Sequence, residues 1–124
     1  MKPSEAELRI LHVLWDCGPS AVRDVFERLE KTTGVGYTTI LKLLQIMLEK
    51  GLVDRDESSR RHIYSARLAR EEAEERFVGD LVESVFNGSK KRLVLQLLED
   101  AKSSQEELEE IRQTILNFEM RNEK

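Results

Sequence analysis

The sequence predicts a mainly α fold in which three N-terminal helices and a two-stranded hairpin are followed by three further helices. Three observations carry that prediction. Apolar residues recur at helical spacing over most of the chain; the period shortens to strand-like runs only between Leu52 and Ser65; and capping or helix-stopping residues stand at the changes.

Ser4 with Glu7 three residues later forms a capping box that opens the first helix. Leu8, Leu11 (or His12) and Trp15 recur along it, supported by Ile10 and Leu14, and Gly18-Pro19 stops it. Ser20 is expected to cap a second helix whose apolar stripes are Ala21, Val25, Leu29 and Val22, Phe26, with Asp24 in its first turn. Thr32 to Gly36 reads as a turn.

The third helix spans the stretch from Gly36 to Gly51. Tyr37, Ile40, Leu41, Leu44, Met47 and Leu48 fall on one broad apolar side, and Thr38, Lys42, Gln45 and Glu49 fall opposite, with Thr39 and Ile46 on the flank. A wholly apolar rim would mark a buried helix, and a charged one an ordinary solvated face. Threonines, a lysine and a glutamine can instead donate to phosphate, read base edges and offer methyls to thymine. The stretch is therefore expected to be a DNA-recognition helix, against the alternative of a plain amphipathic core helix. Thr38 or Thr39 could also cap it and so aim backbone N–H groups at a phosphate.

Leu52 to Asp56 and Arg61 to Ser65 are short β-compatible runs joined by Glu57 to Arg60, a hairpin with arginines Arg60 and Arg61 at its tip or shoulder. A lone hairpin is marginal in water and must lean on the helices before it. Three helices, the third presented outward, then a basic hairpin is the order of a winged helix-turn-helix. Such a helix can lie in the major groove while the wing's arginines reach phosphate or the neighbouring minor groove. The DNA-contact candidates are Tyr37, Thr38, Thr39, Lys42, Gln45, Arg60 and Arg61, and residues 1–67 form the expected DNA-binding domain.

From Leu68 the pattern is helical. Ala69, Ala73, Phe77, Leu81, Val85 and Phe86 run through a long segment ended by Asn87-Gly88, and Ser89 caps a short fifth helix rich in leucine. Ser104 with Glu107 opens a last helix carrying Leu108, Ile111, Ile115 and Phe118 on one side. Three helices of this length cannot enclose Leu93 to Leu98 against one another and still hide Phe77 and Phe86, so a second copy is expected to complete the core. Residues 68–124 are read as a homodimerisation arm using Phe77, Leu81, Val85, Phe86, Leu93, Val94, Leu97, Leu98, Leu108, Ile111 and Ile115. The alternative is a monomeric helical cap folded back on the head.

Composition narrows the function classes. Of 20 basic and 24 acidic residues, 1–65 hold ten of each and 66–124 hold ten and fourteen, so the net charge of −4 lies C-terminally and the head is neutral. No global basic field advertises nucleic acid, but a DNA-facing head on an acidic body is compatible with this split. One cysteine, Cys17, excludes a disulfide framework. The start MKPSEAELRI lacks a signal-peptide core, and no run approaches the ~18 apolar residues of a membrane span. The expectation is a soluble cytoplasmic protein with no membrane partner. His12, His62 and Cys17 are too few and scattered for a zinc site, and His12 is expected to be structural. No Gly-rich phosphate loop, GxSxG or His beside a nucleophile points to an enzyme. No cofactor, metal or catalytic residue is expected.

The order GPSAVRDVFERL, GYTTILKLLQIMLEKGLVDRD, RRHIYSA and FNGSKKRLVLQLL resembles the penicillinase-repressor (BlaI/MecI) family of bacterial transcriptional regulators over essentially the whole chain. Tyr37-Thr38-Thr39, Glu49 to Val53 and Phe86 to Ser89 are the most specific parts. The resemblance implies a homodimer that represses transcription on a dyad-symmetric, palindromic operator in double-stranded DNA, with Tyr37 to Glu49 as its DNA-contacting helix and the wing around Arg60 and Arg61. In the antibiotic-responsive branch a membrane sensor-protease system leads to a cut within the arm, which makes an inactivating protease an implied partner. That cut would map near Gln96-Leu97, where this chain lacks the asparagine–phenylalanine pair of those members. The copper-responsive branch carries a C-terminal Cys-x-Cys motif, whereas this chain ends NFEMRNEK. The alternative of a different class is a winged-helix module that binds a protein partner without reading DNA. Such a helix should expose Leu, Phe or Tyr anchors, and this rim is polar apart from Ile46.

Overall fold

The computed structural model of the chain describes residues 2–99 and 104–123. Its elements are α1 (Glu5–Cys17), β1 (Ser20–Ala21), α2 (Val22–Thr33), α3 (Tyr37–Lys50), β2 (Val53–Asp56), β3 (Ile63–Ala66), α4 (Arg70–Ser84), α5 (Lys90–Leu98) and α6 (Gln105–Asn122). The mainly α class with an N-terminal winged helix-turn-helix is as the sequence predicts. The chain divides into two compact units, Met1–Val78 and Gly79–Lys124.

In the first unit the capping box at α1 forms as expected. Ser4 Oγ accepts from the Glu7 N–H at 3.2 Å, and Glu7 Oε1 accepts from the Ser4 N–H at 2.8 Å. The helix buries Ile10, Leu11, Val13 and Leu14, while Leu8 and Trp15 pack only at the margin. The expected Leu8–Leu11–Trp15 stripe is therefore displaced. Trp15 must satisfy its indole N–H, and it does so at the edge of the core, donating to the Leu68 carbonyl at 2.9 Å. His12 is exposed and meets Trp15 edge-on, with ring centroids 5.1 Å apart.

Ser20 does not cap α2. Its backbone is drawn into a ladder, Ser20 facing Tyr64 and Ala21 facing Ile63, and its hydroxyl donates to the Gly18 carbonyl at 2.9 Å. The cap moves on to Ala21, whose N–H donates to the Asp24 carboxylate at 3.1 Å. The expected two-stranded hairpin is consequently a three-stranded antiparallel sheet in the order β1-β3-β2. The extra strand fixes the wing to the start of α2, which a free hairpin could not achieve.

Ile40, Leu44 and Met47 of α3 are fully buried with Val25, Val53 and Tyr64. Burial of each such apolar side chain contributes about 1.5–3 kcal/mol, and this wedge sets which side of α3 faces out. Gly51 ends the helix in the left-handed region at φ 78°, where its N–H and that of Leu52 return to the Leu48 and Met47 carbonyls. The turn delivers the chain directly into β2.

Ala69, expected on the apolar stripe of the fourth helix, is exposed and precedes α4; its N–H donates to Glu72 Oε1 at 3.3 Å. The helix buries Ala73 in the first unit and Val82 in the second. Asn87 and Gly88 adopt positive φ, and the Gly88 N–H returns to the Val82 carbonyl at 2.8 Å. Ser89 and Ser104 cap α5 and α6 by accepting from the Arg92 and Glu107 N–H groups. Neither helix contains a buried residue. Among the described residues, no helix is long and apolar enough to cross a membrane.

Candidate nucleic-acid interface

Burial of Ile40, Leu44 and Met47 turns Thr38, Thr39, Lys42, Gln45 and Glu49 outward, all of them exposed, with Leu41, Leu43, Ile46 and Leu48 half-buried between. The hairpin does not cover this rim. The N-cap of α3 is Gly36 and no side chain caps it, so neither Thr38 nor Thr39 takes that role. No acidic residue occupies the first turn, leaving the positive end of the helix dipole unopposed by its own side chains. Tyr37 is exposed at the head of the helix, its ring edge-on to Phe26 at 5.7 Å and beneath the Arg23 guanidinium at 5.9 Å.

Arg60 and Arg61 lie in the loop between β2 and β3, both exposed. A cleft of about 410 Å³ separates that loop from the helices, lined by Ala21, Val22, Arg23, Tyr37, Leu41, Arg60, Arg61 and His62. The structure therefore brings Tyr37, Arg60 and Arg61 together around one cationic cleft. Thr38, Thr39, Lys42 and Gln45 continue along the rim of α3. Arg55, at the base of the wing, is engaged within the fold: the Tyr64 hydroxyl, and with it Glu57 at 3.1 Å, holds its guanidinium above the ordinary arginine range.

Arg23 and His62 also line the cleft, and neither was a contact candidate from sequence. Arg23 comes beside the wing only through the β1–β3 ladder, which is too short to show as a pattern. His62 lies 3.7 Å from Glu57 through Nε2.

The expected dimerisation residues fall into two groups. Leu81, Val85, Val94, Leu97, Leu98 and Ile115 are exposed, and Phe77, Phe86, Leu93, Leu108 and Ile111 are half-buried. Phe77 belongs to the first unit, with the Lys2 ammonium 5.1 Å above its ring. In the second unit Leu98, Leu108, Ile111, Ile115 and Leu116 line an apolar cleft of about 280 Å³. Leu116 and Met120 widen the apolar surface of α6 beyond the expected stripe, and Met120 is 67 % exposed. Among the described residues, no group of three or more His, Cys, Asp or Glu side chains is placed to hold a metal ion.

Three helices, a three-stranded sheet and an uncovered polar rim on the third helix define a winged helix-turn-helix protein. The sequence profile described as penicillinase repressor matches residues 3–117, and the chain belongs to that family. It is 26 % identical over 112 residues to the penicillinase repressor of Bacillus licheniformis, covering 90 % of this chain and 88 % of that one. It is 25 % identical over 114 residues to the methicillin resistance regulatory protein MecI of Staphylococcus aureus (strain N315), covering 92 % of each. Among solved structures, the DNA-binding domain of the repressor BlaI aligns with 58 % of this chain and 93 % of its own, at 25 % identity and a TM-score of 0.51. The fold is also shared with monomeric Bacillus licheniformis BlaI in complex with the blaP half-operator, at a TM-score of 0.52 and 24 % identity, over 58 % of this chain and 88 % of that one.

Proposed function

We propose that this protein is a cytoplasmic, sequence-specific transcriptional repressor that binds a dyad-symmetric operator as a homodimer. The observation that carries the reading is the uncovered rim of α3 beside an arginine-lined cleft. On it, α3 enters the major groove, with Thr38, Thr39, Lys42 and Gln45 facing base edges and flanking phosphates. Arg60 and Arg61 of the wing meet the backbone, and Tyr37 packs at the boundary between the two. The Bacillus licheniformis relative and BlaI are repressors by name, MecI is a regulatory protein by name, and the BlaI complex holds a half-operator. Two heads joined through the exposed apolar residues of Gly79–Lys124 supply the second half-site. A neutral head makes few phosphate contacts, so affinity leans on having two of them.

Gln96 and Leu97 lie inside α5 and are exposed, so a protease cutting there must first open the helix locally.

Selection of bound fragments from random DNA supplies an operator. Lys42→Ala is then expected to weaken binding to it by about 1–3 kcal/mol and to relax preference at one base-pair position of each half-site. A titration with unchanged affinity and unchanged preference removes Lys42 from the interface. Wild-type binding should weaken measurably as salt rises, with a slope set by its few phosphate contacts; a flat dependence would favour a protein partner instead.

A further inference from the structure

Two of the three arginines around the cleft, Arg23 and Arg61, already face carboxylates. Arg61 Nη2 lies 3.7 Å from Oδ2 of Asp24, the same oxygen that accepts the Ala21 N–H at the start of α2. Arg23 Nη1 lies 3.5 Å from Glu27 Oε1 while its guanidinium sits over Tyr37. All four charged side chains are more than half exposed, so each pair is weak and exchangeable. A carboxylate and a phosphodiester offer a guanidinium the same kind of anionic oxygen acceptors.

We propose that the cleft between α2, α3 and the wing is a seat for one backbone phosphate of duplex DNA, formed by Arg23, Arg60, Arg61 and His62. Asp24 is its built-in counter-anion, occupying Arg61 until the phosphate displaces it. The inference rests on the DNA-binding reading above. It gives Asp24 two tasks. The carboxylate caps α2, which keeps it in place, and its second role lowers the affinity of each head by making Arg61 exchange one anion for another. That exchange also mutes the salt dependence. When Arg61 moves to phosphate the DNA still releases a condensed cation, but the uncovered Asp24 carboxylate is left beside the backbone, and added salt screens that repulsion.

The test is a double-mutant cycle on a duplex selected with the wild-type chain, measuring Kd across a salt series for wild type, Asp24→Asn, Arg61→Gln and the double variant. Asparagine retains an oxygen to accept the Ala21 N–H, and a thermal melt followed by circular dichroism verifies that α2 stays capped. Asp24→Asn is expected to tighten binding about two- to fivefold per head, the worth of one exposed pair. It should also steepen the slope of log Kd against log salt, by less than one ion per head. In the Arg61→Gln background the gain should vanish. An equal gain in both backgrounds would mean general repulsion between Asp24 and DNA and would overturn the seat, as would no gain at all. Inorganic phosphate added at constant ionic strength should leave the wild-type Kd unchanged; displacement at millimolar phosphate would replace the duplex by a free-anion site. A wild-type chain that binds no duplex defeats the DNA reading itself, a result distinct from a wild-type chain that binds and an Asp24→Asn variant that does not differ.

Discussion

Ile115→Glu is expected to lower operator affinity by about 100- to 10,000-fold, the avidity contributed when a second head binds from an already tethered position. Ile115 is 49 % exposed in the single chain and lines the apolar cleft with Leu98, Leu108, Ile111 and Leu116. A glutamate there sits in water while the chain is alone, so the fold itself loses little. Across a dimer interface the same carboxylate would be buried without a partner, which is costly enough to keep the copies apart. Sedimentation should show the variant at the mass of one chain and circular dichroism an unchanged helix content. Gln113→Glu, on the exposed side of α6 where Gln113 bonds Asn117 at 3.0 Å, is the control and should leave mass and affinity as they are. An Ile115→Glu chain that still sediments as two copies and binds the operator normally would remove this face from the interface.

The second large effect is on stability. Glu7 is buried at the start of α1, and both its carboxylate oxygens accept from the Lys50 ammonium at 3.0 Å, tying the start of α1 to the end of α3. Burial alone would push the Glu7 carboxyl up. The Ser4 backbone N–H and Lys50 outweigh it, so the group is held below the ordinary value of 4.5. A carboxyl depressed in the fold contributes stability that is present above 4.5 and lost as pH falls through its folded value. Lys50→Met leaves the carboxylate buried without its cation and should cost about 3 kcal/mol near neutral pH, the low end for a broken buried pair because Lys50 is itself partly in water. Without Lys50 the carboxyl is depressed less, so protonation costs the variant less than wild type and its deficit should shrink as pH falls below 4.5. Glu7→Gln with Lys50→Met together should recover much of the loss. Urea unfolding at neutral and acidic pH measures both effects; a deficit that does not change with pH would assign the loss to packing.

Much of the head could be read directly from residue order. The polar rim of α3 followed from one helix whose apolar positions Ile40, Leu44 and Met47 repeat at spacings of four and three, a pattern packing has no reason to break. The caps at Ser4, Ser89 and Ser104, and the stop at Gly51, followed from local chemistry. What stayed hidden depends on partners distant in sequence. Ser20 looked like a cap because a serine before an apolar stripe usually is one; its pairing with Tyr64 lies forty-four residues away and consists of only two residue pairs. The same ladder conceals the cleft, since Arg23, Asp24 and Arg61 meet only once β1 joins the sheet. Glu7 was legible as half of a capping box but not as a buried ion. Nothing in the local pattern says that Lys50 reaches it. In the arm, Ala73 is buried as its spacing predicts, whereas Ala69 precedes α4 and is exposed, and the burial of Val82 depends on neighbours that the spacing does not reveal.

Hydroxyl-radical footprinting on a selected operator, with the mass of the same complex measured by sedimentation, tests the paired-head reading most directly. Two chains per duplex are expected, protecting two dyad-related patches on one side of the helix, roughly 10 bp or a multiple of that apart. A saturated complex of one chain protecting one asymmetric patch would contradict it.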